Sequence, residues 1–111
     1  MKQVKITKTV KRNLEQLIAD HYSDKIDDDC TSYQDVIFIE ADFDIKVKNQ
    51  EYTFRMNGDY TYTILDVEGD ECEPLWETEE IDIEEICRTT FKEWLSTNET
   101  RRHLSNDSHN W

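Results

Sequence analysis

Hydrophobic residues recur at helical spacing near both ends of the chain and at every second position in the middle. Near the N-terminus this spacing predicts a helix from about Thr9, as its N-cap, to Tyr22. Its apolar face contains Val10, Leu14, Leu17, Ile18 and Tyr22.

A second helix is predicted to begin at Asp82, with Glu85 three residues later in a variant of the capping box. Glu84 lies at the positive end of its dipole. One broad apolar stripe follows, formed by Ile83, Ile86, Cys87, Thr90, Phe91, Trp94 and Leu95.

From Val36 the hydrophobic period changes to two, which predicts a long strand with one buried face. Two further runs carry alternating apolar residues at Tyr52–Met56 and at Tyr60–Ile64. A turn at Asn49-Gln50 would pair Val47 with Tyr52, so that the apolar faces coincide.

The next connection contains Asn57-Gly58, a strong hairpin signal. A loop with an even number of residues would place the apolar residues of the two strands on opposite faces of the sheet. We therefore predict a bulged or three-residue loop, Asn57-Gly58-Asp59, which pairs Met56 with Tyr60.

These elements predict an α+β domain: a three-stranded antiparallel meander, with an N-terminal and a C-terminal helix packed on one sheet face. A fourth short strand at residues 3–7 is an option. Residues 23–34 read as a polar loop and 66–81 as an acidic loop. The division is a single domain over residues 1–97 and a polar tail over 98–111.

The net charge of the chain is the feature that bears most directly on its possible partners. The chain of 111 residues has a formal net charge of −13, which would repel nucleic-acid phosphates and anionic lipids and favour a basic protein partner. The charge is segregated: residues 1–12 hold five basic and no acidic side chains, whereas residues 56–87 hold twelve acidic and no basic ones. An alternative reading is that acidity only keeps the protein soluble.

Three widely spaced cysteines, Cys30, Cys72 and Cys87, favour free thiols in a reducing compartment. The first 22 residues carry charges throughout and no apolar core of a signal peptide. No run approaches 18 apolar residues. We expect a cytoplasmic protein.

No chemical motif is specific. Counted from Asp66, acids fall where a calcium loop has ligands, but Gly69 stands at position 4 instead of 6 and Pro74 at position 9. His21 is predicted at the edge of the first helix's apolar face, and the histidines and cysteines lack zinc spacing. We therefore expect no enzyme activity, no metal and no cofactor.

The candidate site is a partner-binding surface for a basic protein. Trp76 is its candidate aromatic anchor, although the sequence slightly favours an indole that folds back to close one end of the core. Glu40 and Asp42 extend the surface along the first strand, where same-face carboxylates about 6.6 to 6.8 Å apart imitate nucleic-acid phosphates. Its remaining acidic residues are Asp59, Asp66, Glu68, Asp70, Glu71, Glu73, Glu77, Glu79 and Glu80.

Small size, acidity and the lack of a catalytic motif resemble the accessory or inhibitor proteins of phages and mobile elements, a likeness of composition that rests on no particular residue. The first hypothesis is a non-enzymatic binding module, in its sharpest form a nucleic-acid mimic that inhibits a basic protein. The alternative is a structural or assembly component that buries an apolar patch around Trp76 or the open sheet face. A small enzyme or metal protein is a third option.

Overall fold

A computed structural model describes residues 2–36 and 40–109, with side-chain contacts described as far as residue 97. The elements are a mixed sheet, two α-helices and a short 3₁₀ helix at Tyr33–Asp35. In chain order they are β1 (Lys2–Ile6), α1 (Lys8–Ser23), β2 (Ala41–Val47), β3 (Gln50–Met56), β4 (Tyr62–Leu65), β5 (Glu71–Trp76) and α2 (Ile83–His109). The α+β class is confirmed.

The sheet has five strands in the order β1-β5-β4-β3-β2, and β1 pairs with β5 in parallel. The predicted meander of three strands corresponds to β2, β3 and β4, and the optional N-terminal strand is β1. The predicted acidic loop at 66–81 is wrong for residues 71–76, which form β5. The acidic residues and the proline of this segment are atypical of a strand, so the sequence pattern did not predict it.

Pro74 fits β5 because of the direction of its neighbours' amides. Ile6 lies opposite Trp76, and its carbonyl accepts a hydrogen bond from the Glu77 N–H at 2.9 Å. Backbone groups alternate in direction along a strand, so the amides that face β1 belong to odd-numbered residues. Pro74 is not required as a donor to β1, and the described pairing of β4 with β5 ends at Cys72.

The first hairpin turns at Lys48 and Asn49, whose φ angles of 49° and 65° are those of a type I′ turn. The predicted turn at Asn49-Gln50 is therefore wrong by one residue and the register by two, with Ile45 opposite Tyr52 and Val47 opposite Gln50. An even shift keeps every side chain on its predicted face but changes its partner.

The second hairpin has a bulged loop with an odd number of residues, as parity requires. The Tyr60 N–H donates to the Asn57 carbonyl, and the Asn57 N–H donates to the Thr61 carbonyl. The three loop residues are therefore 58–60, one position later than predicted, and Met56 pairs with Tyr62 instead of Tyr60. Tyr60 occupies the left-handed position with φ 68°.

Helix α1 begins directly after β1. The Thr7 hydroxyl accepts a hydrogen bond from the Val10 N–H at 3.2 Å, so Thr7 is the N-cap and the predicted cap at Thr9 is wrong. Leu14, Ile18 and Tyr22 are buried as predicted, whereas Leu17 is 41% exposed.

Helix α2 is capped by Asp82 as predicted, since its carboxylate accepts from the Glu85 N–H at 3.1 Å. The buried residues of its stripe are Ile83, Cys87 and Phe91. The helix continues to His109, through most of the segment predicted as a tail. The side chains of residues 98–109 and all of residues 110–111 lie outside the description.

One core joins the inner face of the sheet to both helices. Val4, Phe54, Met56 and Ile64 from the strands are buried with the apolar faces of α1 and α2. The opposite sheet face is solvated. Helices α1 and α2 also contact each other, and their outer surfaces form the candidate site. The predicted long strand begins at Ala41, later than expected, since Val36 and Glu40 lie outside any strand; residues 37–39 are not described.

Candidate acidic groove between the two helices

A groove of about 630 Å³ runs between the outer surfaces of α1 and α2. One wall is the α1 face that carries Lys11, Arg12 and Glu15. The other wall is the first part of α2, and residues 79–82 close one end. Six acidic residues line the groove: Glu15, Glu79, Glu80, Asp82, Glu85 and Glu93.

The groove depends on how the two helices begin. Thr7 starts α1 immediately after β1, and Asp82 starts α2 after an extended segment from β5. On each helix, residues at four-residue spacing share a face, which brings Lys11 into line with Glu15 and Glu85 into line with Glu93. Helix packing then places acids from distant parts of the chain opposite each other.

Sequence reasoning identified Glu79 and Glu80 in this groove and missed four of its carboxylates. Asp82 and Glu85 were recognised only as capping residues. The four-residue spacing of Glu85, Thr89 and Glu93 was available as a signal for a shared polar face. The position of Glu15 opposite that face depends on tertiary packing.

Glu77 and Glu80 are among the predicted binding acids that make contacts within the fold. The Glu77 carboxylate accepts a hydrogen bond from the Lys8 N–H at 3.1 Å, at the beginning of α1. The Glu80 carboxylate accepts from the Tyr62 hydroxyl at 2.6 Å. Both therefore stabilise the chain around the groove, in addition to their charge.

Trp76 faces the core side of β5 and is partly buried against the core cluster. Its indole N–H donates to the Tyr62 hydroxyl at 3.1 Å, and the two rings meet edge to face at 5.9 Å. The indole therefore packs back against the core, as the alternative interpretation predicted. Its neighbour Leu75, on the opposite face, is 44% exposed.

The segment that begins at Asp66 does not have the shape of a calcium-binding loop. Residues 66–70 form a tight bulged turn between β4 and β5, with Gly69 at φ 87°. The Asp66 carboxylate accepts from the N–H groups of Glu68 and Asp70, at 2.9 and 3.0 Å. Among the described residues, no group of three acidic, histidine or cysteine side chains has a metal-binding arrangement.

The other predicted acids are distributed over several surfaces. Glu68 and Asp70 lie in the exposed β4–β5 turn, and Glu71 and Glu73 lie on the solvated face of β5. Asp59, in the β3–β4 loop, accepts hydrogen bonds from the N–H and hydroxyl of Thr61. These residues do not converge with the groove.

The predicted row of carboxylates on the first strand is partly neutralised. Arg55 donates to both oxygens of Asp42, at 2.9 and 3.2 Å, instead of facing Asp44 as the predicted register required. This hydrogen bonding lowers the pKa of Asp42. Glu40 is exposed, and its charge favours the protonated form of Arg55, so the row does not present a run of unpaired phosphate-like charges.

A second concavity adjoins the groove and shares Glu80 and Asp82 with it. Its volume is about 600 Å³, and Tyr60 and Tyr62 line it. Burial, followed by the hydrogen bond to Glu80, raises the pKa of Tyr62. Residues 80–82 thus form a ridge with carboxylates on one side and tyrosines on the other.

The titratable groups of the core are packing residues. Cys87 is fully buried, and burial raises the pKa of its thiol to about 12. All three cysteines are free thiols, as predicted. His21 packs edge-on against Phe43, with the ring centroids 5.7 Å apart. This contact agrees with its predicted place at the edge of the apolar face of α1.

None of the described helices has both the length and the apolar character that crossing a membrane requires. The chain matches no protein-family model, no curated protein and no solved structure.

Proposed function

We propose that this protein is a binding module that holds a basic segment of a partner protein in the groove between α1 and α2. The observation that carries the proposal is the lining of that groove, with six acidic and two basic residues in a volume of about 630 Å³. A concave surface with a large excess of one charge concentrates ligands of the opposite charge.

The arrangement of charge also supports an oriented ligand. The two cations, Lys11 and Arg12, belong to α1, whereas the α2 wall contributes Asp82, Glu85 and Glu93. Arg88 contacts both Glu84 and Glu85, at 2.8 and 3.2 Å, and reduces the negative charge near that turn. The strongest attraction for a partner cation is therefore expected around Glu79 and Glu93.

The sharper form of the proposal is inhibition by imitation of nucleic acid. In that form the partner is a nucleic-acid-binding protein, and the groove occupies its basic surface. Support comes from the groove and not from the strand row, since Asp42 is held by Arg55. Duplex DNA and this protein should then exclude each other from the partner.

The assembly alternative has less support, because Trp76 packs against the core instead of forming an exposed patch. Leu17, Val67 and Leu75 are exposed hydrophobic residues on three different elements: α1, the β4–β5 turn and β5.

The test uses a fluorescein-labelled, arginine-rich peptide and fluorescence anisotropy. The variant Glu15→Gln/Glu79→Gln/Glu93→Gln removes three charges at positions that make no side-chain hydrogen bond in the described structure. The matched control, Glu68→Gln/Glu71→Gln/Glu73→Gln, removes three charges from the β4–β5 hairpin. We expect the groove variant to weaken binding about tenfold more than the control.

Affinity should also fall as salt rises from about 50 to about 200 mM, because screening shortens the range of the attraction. Equal losses from the two variants would show that only net charge matters, and a larger loss from the control would place the site on the hairpin. Either outcome contradicts the groove. For the mimic form, a DNA-binding protein recovered from the native cell should release duplex DNA when the wild type is added, and less so with the groove variant.

A further inference from the structure

A second groove, of about 390 Å³, lies between the β1 edge of the sheet and the β2–β3 turn. The sheet curls so that β2 approaches β1. Lys2 and Lys5 come from β1 and Lys48 from the turn, and none of the groove's lining residues is acidic. This local excess of positive charge contrasts with the net charge of −13 on the chain.

The groove also contains an apolar contact surface. Leu75, on β5 beside Lys5, is 44% exposed. Val4 and Val47 are buried at its base, with Tyr52 beside them. A ligand here would gain apolar burial as well as contacts with lysine.

The backbone of β1 offers a third element. In the described part of the sheet β1 pairs with β5 alone. Ile6 accepts from Glu77 on the β5 side, so the odd-numbered residues Gln3 and Lys5 direct their N–H and C=O groups away from β5. An edge of this kind can pair with an added strand.

We propose that this groove binds an extended acidic segment of a partner protein, which adds to the free edge of β1. The strand edge supplies main-chain hydrogen bonds, the lysines contact carboxylates, and Leu75 packs against an apolar side chain of the ligand. A long polyanion such as nucleic acid is disfavoured by the charge of the remaining surface. Together with the acidic groove, the protein would have two binding surfaces, one for basic and one for acidic segments of partner proteins.

The probe is a fluorescein-labelled peptide of alternating glutamate and valine, with anisotropy as the readout. The variant Lys5→Gln/Lys48→Gln removes two charges from the groove, and Lys2 is left unchanged because it lies 4.0 Å from Asp66. The matched control, Lys25→Gln/Lys92→Gln, removes two exposed lysines elsewhere. We expect the groove variant to weaken binding about tenfold and the control to change it less than about twofold.

A second peptide, N-methylated at alternate backbone positions, tests strand addition because it lacks the donors that face β1. We expect it to bind about tenfold more weakly than the unmodified peptide. Equal binding of both peptides, equal effects of both lysine variants, or equally good competition by oligo-dT or inorganic phosphate would overturn the proposal. The wild type and both variants should have the same far-ultraviolet circular dichroism, and none of these measurements involves the acidic groove.

Discussion

The Glu77 carboxylate accepts a hydrogen bond from the backbone N–H of Lys8 at 3.1 Å, while the Glu77 N–H donates to the carbonyl of Ile6 at 2.9 Å. One residue after β5 thus holds both sides of the β1–α1 junction. The first turn of α1 contains no acidic residue and begins with Lys8, a cation at the positive end of the helix dipole. Glu77 supplies the missing negative charge from 69 residues away.

Glu77→Ala is therefore expected to lower the free energy of unfolding by about 1 kcal/mol, because the Lys8 N–H loses its acceptor and the helix dipole loses a favourable charge. Glu77→Gln keeps an acceptor oxygen and should cost less. Urea denaturation measures both changes. Glu79→Ala, two residues away and exposed, is the control and should leave the unfolding midpoint nearly unchanged.

The alignment of Asp42 with Arg55 leads to a test of the strand register by charge reversal. Asp42→Lys places two cations opposite each other and should destabilise the protein, whereas Asp42→Arg combined with Arg55→Asp should recover most of the loss. Asp44→Lys is the control, since Asp44 lies opposite Thr53. A larger effect at Asp44 than at Asp42 in thermal unfolding would favour the register that the sequence predicted.

This pair also has a defined pH dependence. Arg55 lowers the pKa of Asp42 below its ordinary value, so the folded state favours the ionised carboxyl. The stabilisation is complete above the ordinary Asp value, about 3.9, and is lost as the pH falls through the lower folded value. In NMR titrations, Arg55→Gln should move the Asp42 midpoint upward.

Periodicity predicted the faces of the strands and helices because each side chain's burial is a local property of its position. Phe54, Ile64 and Cys87 are buried for this reason. Register was not accessible in the same way, because two alignments that differ by two residues bury the same faces. The choice depends on turn backbone angles, which Lys48 and Asn49 adopt at positive φ without a glycine.

Strand β5 and the acidic groove could not be predicted for a different reason. Glu71, Glu73 and Pro74 are unfavourable strand residues on their own, and their strand conformation depends on β1, which lies 70 residues earlier in the sequence. Glu15 and Glu93 line the same groove only because α1 packs against α2. The sequence showed how many carboxylates there are, but their grouping depends on tertiary contacts.

The β4–β5 turn gives a test of backbone strain at one position. Gly69 has φ 87°, and no atom lies within 4 Å of the place where a Cβ would be. Gly69→Ala should therefore cost about 1 to 2 kcal/mol from conformation alone, without a steric clash. Gly58→Ala, in the neighbouring hairpin and at a residue without positive φ, should cost less. Equal losses in urea denaturation would contradict the assigned turn geometry.

Tyr62 links the core to the acidic ridge and should contribute to the loss of stability at alkaline pH. Its hydroxyl accepts from the Trp76 indole at 3.1 Å and donates to Glu80 at 2.6 Å. Burial, and then the bond to Glu80, raises its pKa above the ordinary value. The folded state therefore favours the neutral phenol, and its contribution is complete below pH of about 10 and lost as the pH rises through the higher folded value.

Tyr62→Phe removes both hydrogen bonds and should cost about 1 kcal/mol at pH 7. The loss of stability above a pH of about 10 should become shallower, because one partly buried phenol no longer has to ionise. Chemical denaturation at several pH values, followed by tryptophan fluorescence, measures both effects. Tyr52→Phe is the control, since its hydroxyl contacts only Gln50 in the described structure. If the two variants have parallel pH profiles, ionisation of Tyr62 does not contribute to the loss of alkaline stability.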